Sequence, residues 1–346
     1  MAAIEALDVV DLVKSTLRDL GRGTFQQVAQ DVVDYPVFTS WFKKDKVMFD
    51  DGIGIQRTLM ARLPDVAKHV GWADEDTASI EDIMEQLQVP WRHAETRWSF
   101  KYQETLMNKG KSLIFNVIKP RRAGAMIKLA QICDNGAWAV PTSESDKTQP
   151  WGVPYWVPIV TGTPGFNGGL PGSYATIAGL TQTEVPTFKS YSGTYVSVTK
   201  ADLIKKMRTM KRATGFKSPI DLADYRKGKG ERYRVYTNEN VLSSFEEIGE
   251  SQNENLGRDL ASIDGVNMTF RGNPIVYTPQ LDSNTADPVY FLDHSTFYPA
   301  CLVGDYMRED GPIRDPKKRD WYTTYVNLSY NYLCLDRRRN GVLSLT

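Results

Sequence analysis

Several short stretches of the chain carry residue types that could do chemistry, but in each the spacing that the chemistry requires is broken. Gly110-Lys111-Ser112 has the ending of a phosphate-cradling loop, yet the first glycine of that motif falls at position 105, where Thr105 stands inside a helical pattern. Asp74 and Glu85 sit at the outer positions of a calcium loop, but Ala78 and Ser79 occupy the middle, where an oxygen ligand and the turn glycine belong. Gly52-Ile53-Gly54 begins a dinucleotide fingerprint that Arg57 ends. The histidines His69, His93 and His294 lie far apart, and so do Cys133, Cys301 and Cys334, with no paired spacing that suggests a zinc site or a disulfide framework. Asp293-His294-Ser295 contains the residue types of a hydrolytic triad, but such triads are defined by geometry in space, and the GxSxG elbow is missing. No catalytic residue, metal ligand or cofactor site is therefore assigned.

Two clusters keep other readings open. Trp151, Tyr155 and Trp156 could form a stacking platform for a sugar or a base, which would suit a carbohydrate-binding or hydrolytic protein, or they could pack within a proline-rich loop. Arg337, Arg338 and Arg339 could touch DNA or an acidic neighbour, or form a solvated charge run.

The chain has 346 residues, 41% hydrophobic and 11% aromatic, enough to bury a large core and too apolar overall for disorder. No stretch approaches the ~18 apolar residues that span a bilayer, and the polar, acidic start Met-Ala-Ala-Ile-Glu-Ala-Leu-Asp argues against a secretory signal. Synthesis and assembly in a cytoplasm are the expectation. Lys plus Arg equals Asp plus Glu at 42 each, so contact with nucleic acid is expected to be weak and non-specific.

The elements that must position these residues read as an α+β fold. Ile4, Leu7, Val10, Val13, Leu17 and Leu20 predict an amphipathic helix, and a second runs from Thr24 to Pro36; together they form an N-terminal arm over 1–45. Alternation at Ile53, Ile55, Arg57 and Leu59, and again at Trp98, Phe100 and Tyr102, predicts the two strands of a long hairpin. Ile80, Ile83, Met84 and Leu87, begun by Ser79, predict a short acidic helix between them. Residues 104–136 form the longest helical stretch, which Pro120 should kink or divide. A Gly/Pro/aromatic excursion fills 147–198. It is followed by a helix whose apolar face is Leu203, Ile204, Met207 and Met210, with Thr199 and Asp202 as its capping pair. Strands at 274–277 and 289–292, a helix at 240–248 and a long strand at 321–335 complete the chain.

This order of elements resembles the major capsid fold of tailed double-stranded DNA bacteriophages, a fold shared with encapsulins. The resemblance is carried by Gly54-Ile55-Gln56-Arg57, Val89-Pro90-Trp91, Asn108-Lys109-Gly110, Trp151-Gly152-Val153-Pro154-Tyr155-Trp156, Phe166-Asn167-Gly168 and Arg338-Arg339-Asn340-Gly341-Val342-Leu343-Ser344. It implies an extended loop over 46–102, a spine helix and peripheral domain over 103–235, an axial domain over 236–318, and a strand over 319–346 that returns to the peripheral domain. It also implies self-assembly through pentamers and hexamers into an icosahedral shell around DNA, with portal, scaffolding and decoration proteins as partners, no membrane, and location in the virion. An encapsulin-like compartment is the alternative within the same fold. Some relatives crosslink subunits through lysine and asparagine; Lys68 is the only lysine near the hairpin tip, its partner is not identifiable, and no crosslink is assigned. Scaffolding, where needed, is expected to be a separate protein, and mature subunits to keep the arm.

Charge placement suggests how copies would meet. Residues 64–104 hold nine acids against four bases, a net of about −5, whereas 200–234 hold twelve bases against four acids, about +8. In the fold resembled, the extended loop lies over a neighbour's peripheral domain, which would bring Asp74, Glu75 and Asp76 towards Lys205, Lys206 and Arg208.

Overall fold

The computed structural model of the chain describes residues 35–50, 52–62, 69, 82–107, 118–172, 174–215, 233–253 and 268–346. Residues 3–34 of the expected helices, the acidic triplet Asp74–Asp76, Lys68 and Gly110-Lys111-Ser112 lie outside these residues.

Two sheets converge on one short helix. That helix, α1 (Val37–Asp45), has the wide turns of a π-helix and buries Val37, Trp41 and Phe42. Its first free N–H groups are satisfied from a distance, because the Asp134 carboxylate accepts from the Val37 and Phe38 N–H groups at 2.8 and 3.2 Å. Trp41 is the meeting point. Its ring lies 5.4 Å from Tyr236 of the larger sheet, and 5.5 and 5.9 Å from Phe297 and Tyr332 of the smaller one.

The smaller sheet has the order β1 (Val47–Phe49), β11 (Phe297–Arg314), β12 (Trp321–Cys334), β4 (Arg92–Lys101). β1 runs parallel to the buried root of β11, whereas β11, β12 and β4 are antiparallel. Beyond Cys301 the side chains of β11 turn mostly outwards, so the distal half of the β11–β12 hairpin overhangs the core. The larger sheet has seven strands in the order β5 (Gly165–Gly168), β6 (Ser190–Tyr195), β13 (Gly341–Leu345), β10 (Val289–Asp293), β7 (Tyr233–Thr237), β9 (Asn273–Tyr277), β8 (Thr269–Phe270). The C-terminal strand β13 thus sits between strands of the excursion and of the later α+β region, and it ties the two together.

The helices follow their apolar periodicity. α2 (Tyr102–Met107) precedes α3 (Ile118–Ala137), with Pro120 in the first turn of α3, where its missing N–H is harmless. α3 buries Leu129, Cys133 and Ala137 against α1 and the smaller sheet. α5 (Leu203–Thr214) buries Leu203, Met207 and Met210 against Tyr191, Val235, Phe291 and Leu343. α6 (Glu239–Asn253) follows β7, and α4 (Val153–Trp156) is a single turn within the excursion.

Two expectations are corrected. The strand β2 (Gly54–Met60) pairs with β3 (Met84–Pro90), not with 98–102; Trp98 and Phe100 belong to β4, which pairs with β12 instead, and Tyr102 opens α2. Met84 and Leu87, expected on a helix, lie in β3; a short apolar run fits either period, and pairing with β2 decides it.

Candidate assembly surface and its internal supports

The excursion is held by one buried cation. Arg337 is fully buried, and its guanidinium donates to four carbonyl oxygens: Trp156 at 2.7 Å, Phe188 at 2.8 Å, Gly168 at 2.9 Å and Gly169 at 2.6 Å. Burial pushes its pKa down to about 10, which leaves it protonated at neutral pH. Arg339 is also buried, its Nε 2.6 Å from the Asp293 carboxylate. Only Arg338 is exposed, with its fork on Asp336 at 3.0 and 3.2 Å. The assignment of this run to a subunit interface or to solvent is corrected for Arg337 and Arg339, which serve inside the subunit. The flanks explain it: Asp336 accepts the Arg338 N–H, and the Asn340 side chain accepts the Asp293 N–H at 2.8 Å and donates to the Asp336 carbonyl, folding the run inwards.

Most of the aromatic cluster is likewise internal, with Trp151 half-buried at its edge. Tyr155 and Trp156 are buried, and Trp151 stacks on Tyr155 with centroids 4.6 Å apart, so the ring faces are used on one another. The Trp156 Nε1 donates to the Tyr332 carbonyl at 3.0 Å, and the Tyr155 hydroxyl accepts from the Ala178 N–H at 3.0 Å. Asp293-His294-Ser295 is no triad: the Asp293 carboxylate accepts directly from the Ser295 hydroxyl at 2.7 Å, whereas the His294 Nε2 meets the Tyr236 hydroxyl at 2.8 Å. Among the described residues no group of three or more His, Cys, Asp or Glu side chains is placed to hold a metal ion.

A second buried polar group anchors α1. Arg234 reaches Asp45 at 2.8 Å and donates to the Ser40 hydroxyl at 2.9 Å, and the Trp41 Nε1 donates to the Tyr236 hydroxyl at 2.6 Å. On α3, burial raises the Asp134 carboxyl to about 7 even though the two N–H groups of α1 favour its charged form.

Among the described residues, three outward features could meet a neighbour. The distal β11–β12 hairpin exposes Val303 and Ile313. The β2–β3 ribbon leaves Met60 and Met84 half-exposed, directly paired across the strands, and Ile53 beside its root fully exposed. α5 presents Lys205 and Arg208 to solvent, while Lys206 pairs with Asp202 at 2.6 Å. The Lys206 ammonium, together with the Val196 N–H, lowers the Asp202 carboxyl to about 2. Asp202 thus closes the turn before α5 while its own N–H donates to the Thr199 hydroxyl, half of the expected capping arrangement.

Sequence reasoning missed β6, β7, β11 and α1, and with them a local turn beside the ribbon. Residues 177–180 form a two-residue hairpin turn, with Ile177 and Leu180 exchanging both backbone hydrogen bonds and positive φ at Ala178 (51°) and Gly179 (85°). Left-handed backbone at an alanine costs on the order of 1–2 kcal/mol. Both backbone groups of Ala178 are employed: its N–H bonds the Tyr155 hydroxyl, and its carbonyl accepts the Gln88 N–H of β3 at 2.9 Å. Thr181 and Glu184, a recognisable T-x-x-E capping box, fold the next turn, and the Glu184 carbonyl accepts the Arg62 Nε at 2.9 Å. Trp151, Tyr155 and Tyr174 wall an open cleft of about 470 Å³ between this segment and the ribbon.

Overall, then, two sheets are riveted at α1, an overhanging three-stranded edge and a separate ribbon project from them, and the last strand stitches the excursion to the α+β region. Solved structures share this arrangement along nearly their whole length. The capsid asymmetric unit of cyanophage A-1(L) superposes with a TM-score of 0.61 at 13% identity, over 94% of this chain and 96% of that one. The chain has the fold of tailed-phage capsid proteins. The capsid of a native GTA particle gives a TM-score of 0.55 at 11% identity, over 94% and 95% of the two chains, and the capsid of Myoviridae phage XM1 gives 0.52 at 13%, over 95% and 98%. No protein-family model matches the chain, and no curated protein matches it.

Proposed function

We propose that this chain is a major capsid protein of a tailed bacteriophage, a structural unit rather than a catalyst. In this reading it self-assembles through pentamers and hexamers into an icosahedral virion shell around double-stranded DNA. The observation that carries the reading is the extent of the likeness: the capsid fold accounts for about 94% of this chain and 96% of its cyanophage counterpart. The exposed apolar side chains on the ribbon and hairpin support it, because long strands without a core of their own gain stability by lying across neighbours.

Within this proposal, 1–45 is the arm, 46–102 the extended loop, 103–235 the spine helix and peripheral domain, 236–318 the axial domain and 319–346 the returning strand. Assembly takes place in the host cytoplasm, with portal, scaffolding and decoration proteins as further partners and DNA held weakly. Asp74, Glu75 and Asp76 of one copy meet Lys205, Lys206 and Arg208 of the next, an attraction that steers association and fixes register more than it adds affinity.

The test is to purify the full chain and examine it by size exclusion and negative-stain microscopy. Megadalton shells or capsomers are expected, with DNA as the content when the shells come from infected cells. A protein cargo instead of DNA would favour an encapsulin-like compartment, and a stable monomer that binds sugar would overturn the reading.

A further inference from the structure

An isolated two-stranded ribbon is at best marginally stable in water, so β2–β3 needs support from outside itself. One face supplies part of it: Ile55, Leu87 and Val89 are buried in the core with Ile177, Ala178 and Leu180. Hydrogen bonds supply direction. The tip of the 177–180 turn takes the Gln88 N–H on the outer edge of β3, and beyond the far end of β2 the Glu184 carbonyl takes the Arg62 guanidinium. Two attachments separated along the ribbon prevent it from pivoting, which one attachment could not do. The turn is itself fixed from behind by the Tyr155 hydroxyl on the Ala178 N–H, and the capping box of Thr181 and Glu184 fixes the second carbonyl. The left-handed backbone at Ala178 is the mark of a position held for a purpose, because it aims that carbonyl at the ribbon.

We propose that residues 174–185 of the excursion are a brace that sets the direction of the β2–β3 ribbon and, through it, the angle at which one copy meets the next. The second half of this statement rests on the capsid reading; the first does not. Gln88, Arg62, Tyr155 and Ala178 are then positioning residues for assembly.

The ribbon geometry provides a clean perturbation. Gln88 faces Gln56, and because the Gln88 N–H points outwards to Ala178, the pair is one that exchanges no hydrogen bonds across the ribbon. Gln88→Pro therefore removes the brace bond and spares the ladder, and Gln56→Pro makes the same change on the edge away from the brace. Both variants of the full chain are compared with the unaltered protein by hydrogen exchange over 54–60 and 84–90 and by the distribution of particle diameters. Gln88→Pro is expected to speed ribbon exchange by about tenfold, equivalent to ~1.4 kcal/mol, and to turn one shell diameter into several or into open sheets. Gln56→Pro should match the unaltered chain in both. Unchanged exchange in Gln88→Pro overturns the brace, and faster exchange with a single unchanged diameter overturns its role in assembly. If the unaltered chain forms no shells, the capsid reading fails, and the exchange measurement decides on the brace alone. If Gln88→Pro does not fold, the double variant Arg62→Ala, Tyr155→Phe severs the supports through side chains only and is judged by the same two measurements.

Discussion

Removing the Arg337 guanidinium should loosen the excursion from the rest of the subunit, by an amount that its contacts allow to be worked out. In Arg337→Ala the carbonyls of Trp156, Gly168, Gly169 and Phe188 lose their shared donor in a site that is fully buried. Each unpaired buried carbonyl costs about 1–3 kcal/mol; Gly168 keeps the Ser190 hydroxyl at 3.4 Å and Gly169 is only partly buried, so the gross loss is roughly 3–9 kcal/mol. Against this, the folded state no longer has to desolvate a cation, and the vacated space can admit water to some of the carbonyls. The expected net loss is about 3–5 kcal/mol, a fall in melting temperature of roughly 4–7 °C for a chain of this size. Arg337→Lys should recover about half, since one ammonium cannot span a fork of four acceptors. Arg337→Met separates the two causes: it refills the volume but donates nothing, so it should behave like the alanine variant. The assay is denaturant unfolding of the full chain, with limited proteolysis reporting whether cleavage concentrates in 157–189. A methionine variant as stable as the unaltered protein would refute the reasoning, because the carbonyls would then not need the guanidinium.

Asp134 gives a pH prediction with a fixed sign. Its folded-state carboxyl is raised from 3.8 to about 7, so the folded chain binds the extra proton and stability should fall as pH rises from about 4 to about 7, then level off. Asp134→Asn, which still accepts from the Val37 and Phe38 N–H groups, should flatten that slope and gain on the order of 2–4 kcal/mol over the unaltered chain at pH 8; melts at pH 5 and pH 8 that show the same slope in both proteins would contradict this. Reversing Asp74, Glu75 and Asp76 to lysine should block assembly of a folded subunit, and reversing Lys205, Lys206 and Arg208 to glutamate in the same chain should partly restore it. Assembly should also weaken as salt shortens the screening length below about 8–10 Å, and light scattering indifferent to both changes would sink the charge argument. Deleting residues 1–35 should leave a subunit that folds, as judged by circular dichroism, but assembles poorly; shells in normal yield would count against an arm ordered by its neighbours.

What the sequence made legible was whatever is specified locally. α5 could be read because its apolar spacing, the Thr199–Asp202 turn and Gly215 all lie within one segment. The same holds for β9 and β10. The errors came where a distant partner decides the outcome. The segment 83–90 carries Ile83, Met84 and Leu87 at helical spacing but also Leu87 and Val89 in alternation, and only the pairing with β2 selects the strand β3. β4 waits more than 200 residues for β12, a pairing that no window of sequence contains. The arginine run looked like a surface because the oxygens that receive Arg337 belong to Gly168, Gly169, Trp156 and Phe188, and backbone carbonyls leave no trace in residue type. Ala178 gave no signal at all: its left-handed turn is one that glycine would announce and alanine conceals.

The distribution of rigidity bears on function. Buried polar groups concentrate where segments remote in sequence meet: Arg234 and Asp45 at α1, Arg337 at the excursion, Arg339 and Asp293 beside the last strand. Such groups specify one arrangement even where they add little net stability. The outward features are of the opposite kind, with Ile53, Met60, Met84, Val303 and Ile313 exposed on or beside the projecting ribbon and hairpin. Fully burying a side chain of this size contributes about 1.5–3 kcal/mol, so completing the burial of these five, several already half-covered, would contribute roughly 5 kcal/mol per copy. That is a weak contact taken singly, between three and four powers of ten in association by the usual ~1.4 kcal/mol per decade. It becomes strong only when every copy makes it and receives it, as in a closed shell, and weak reversible contacts between rigid bodies are also what allow a misplaced copy to leave before the shell closes.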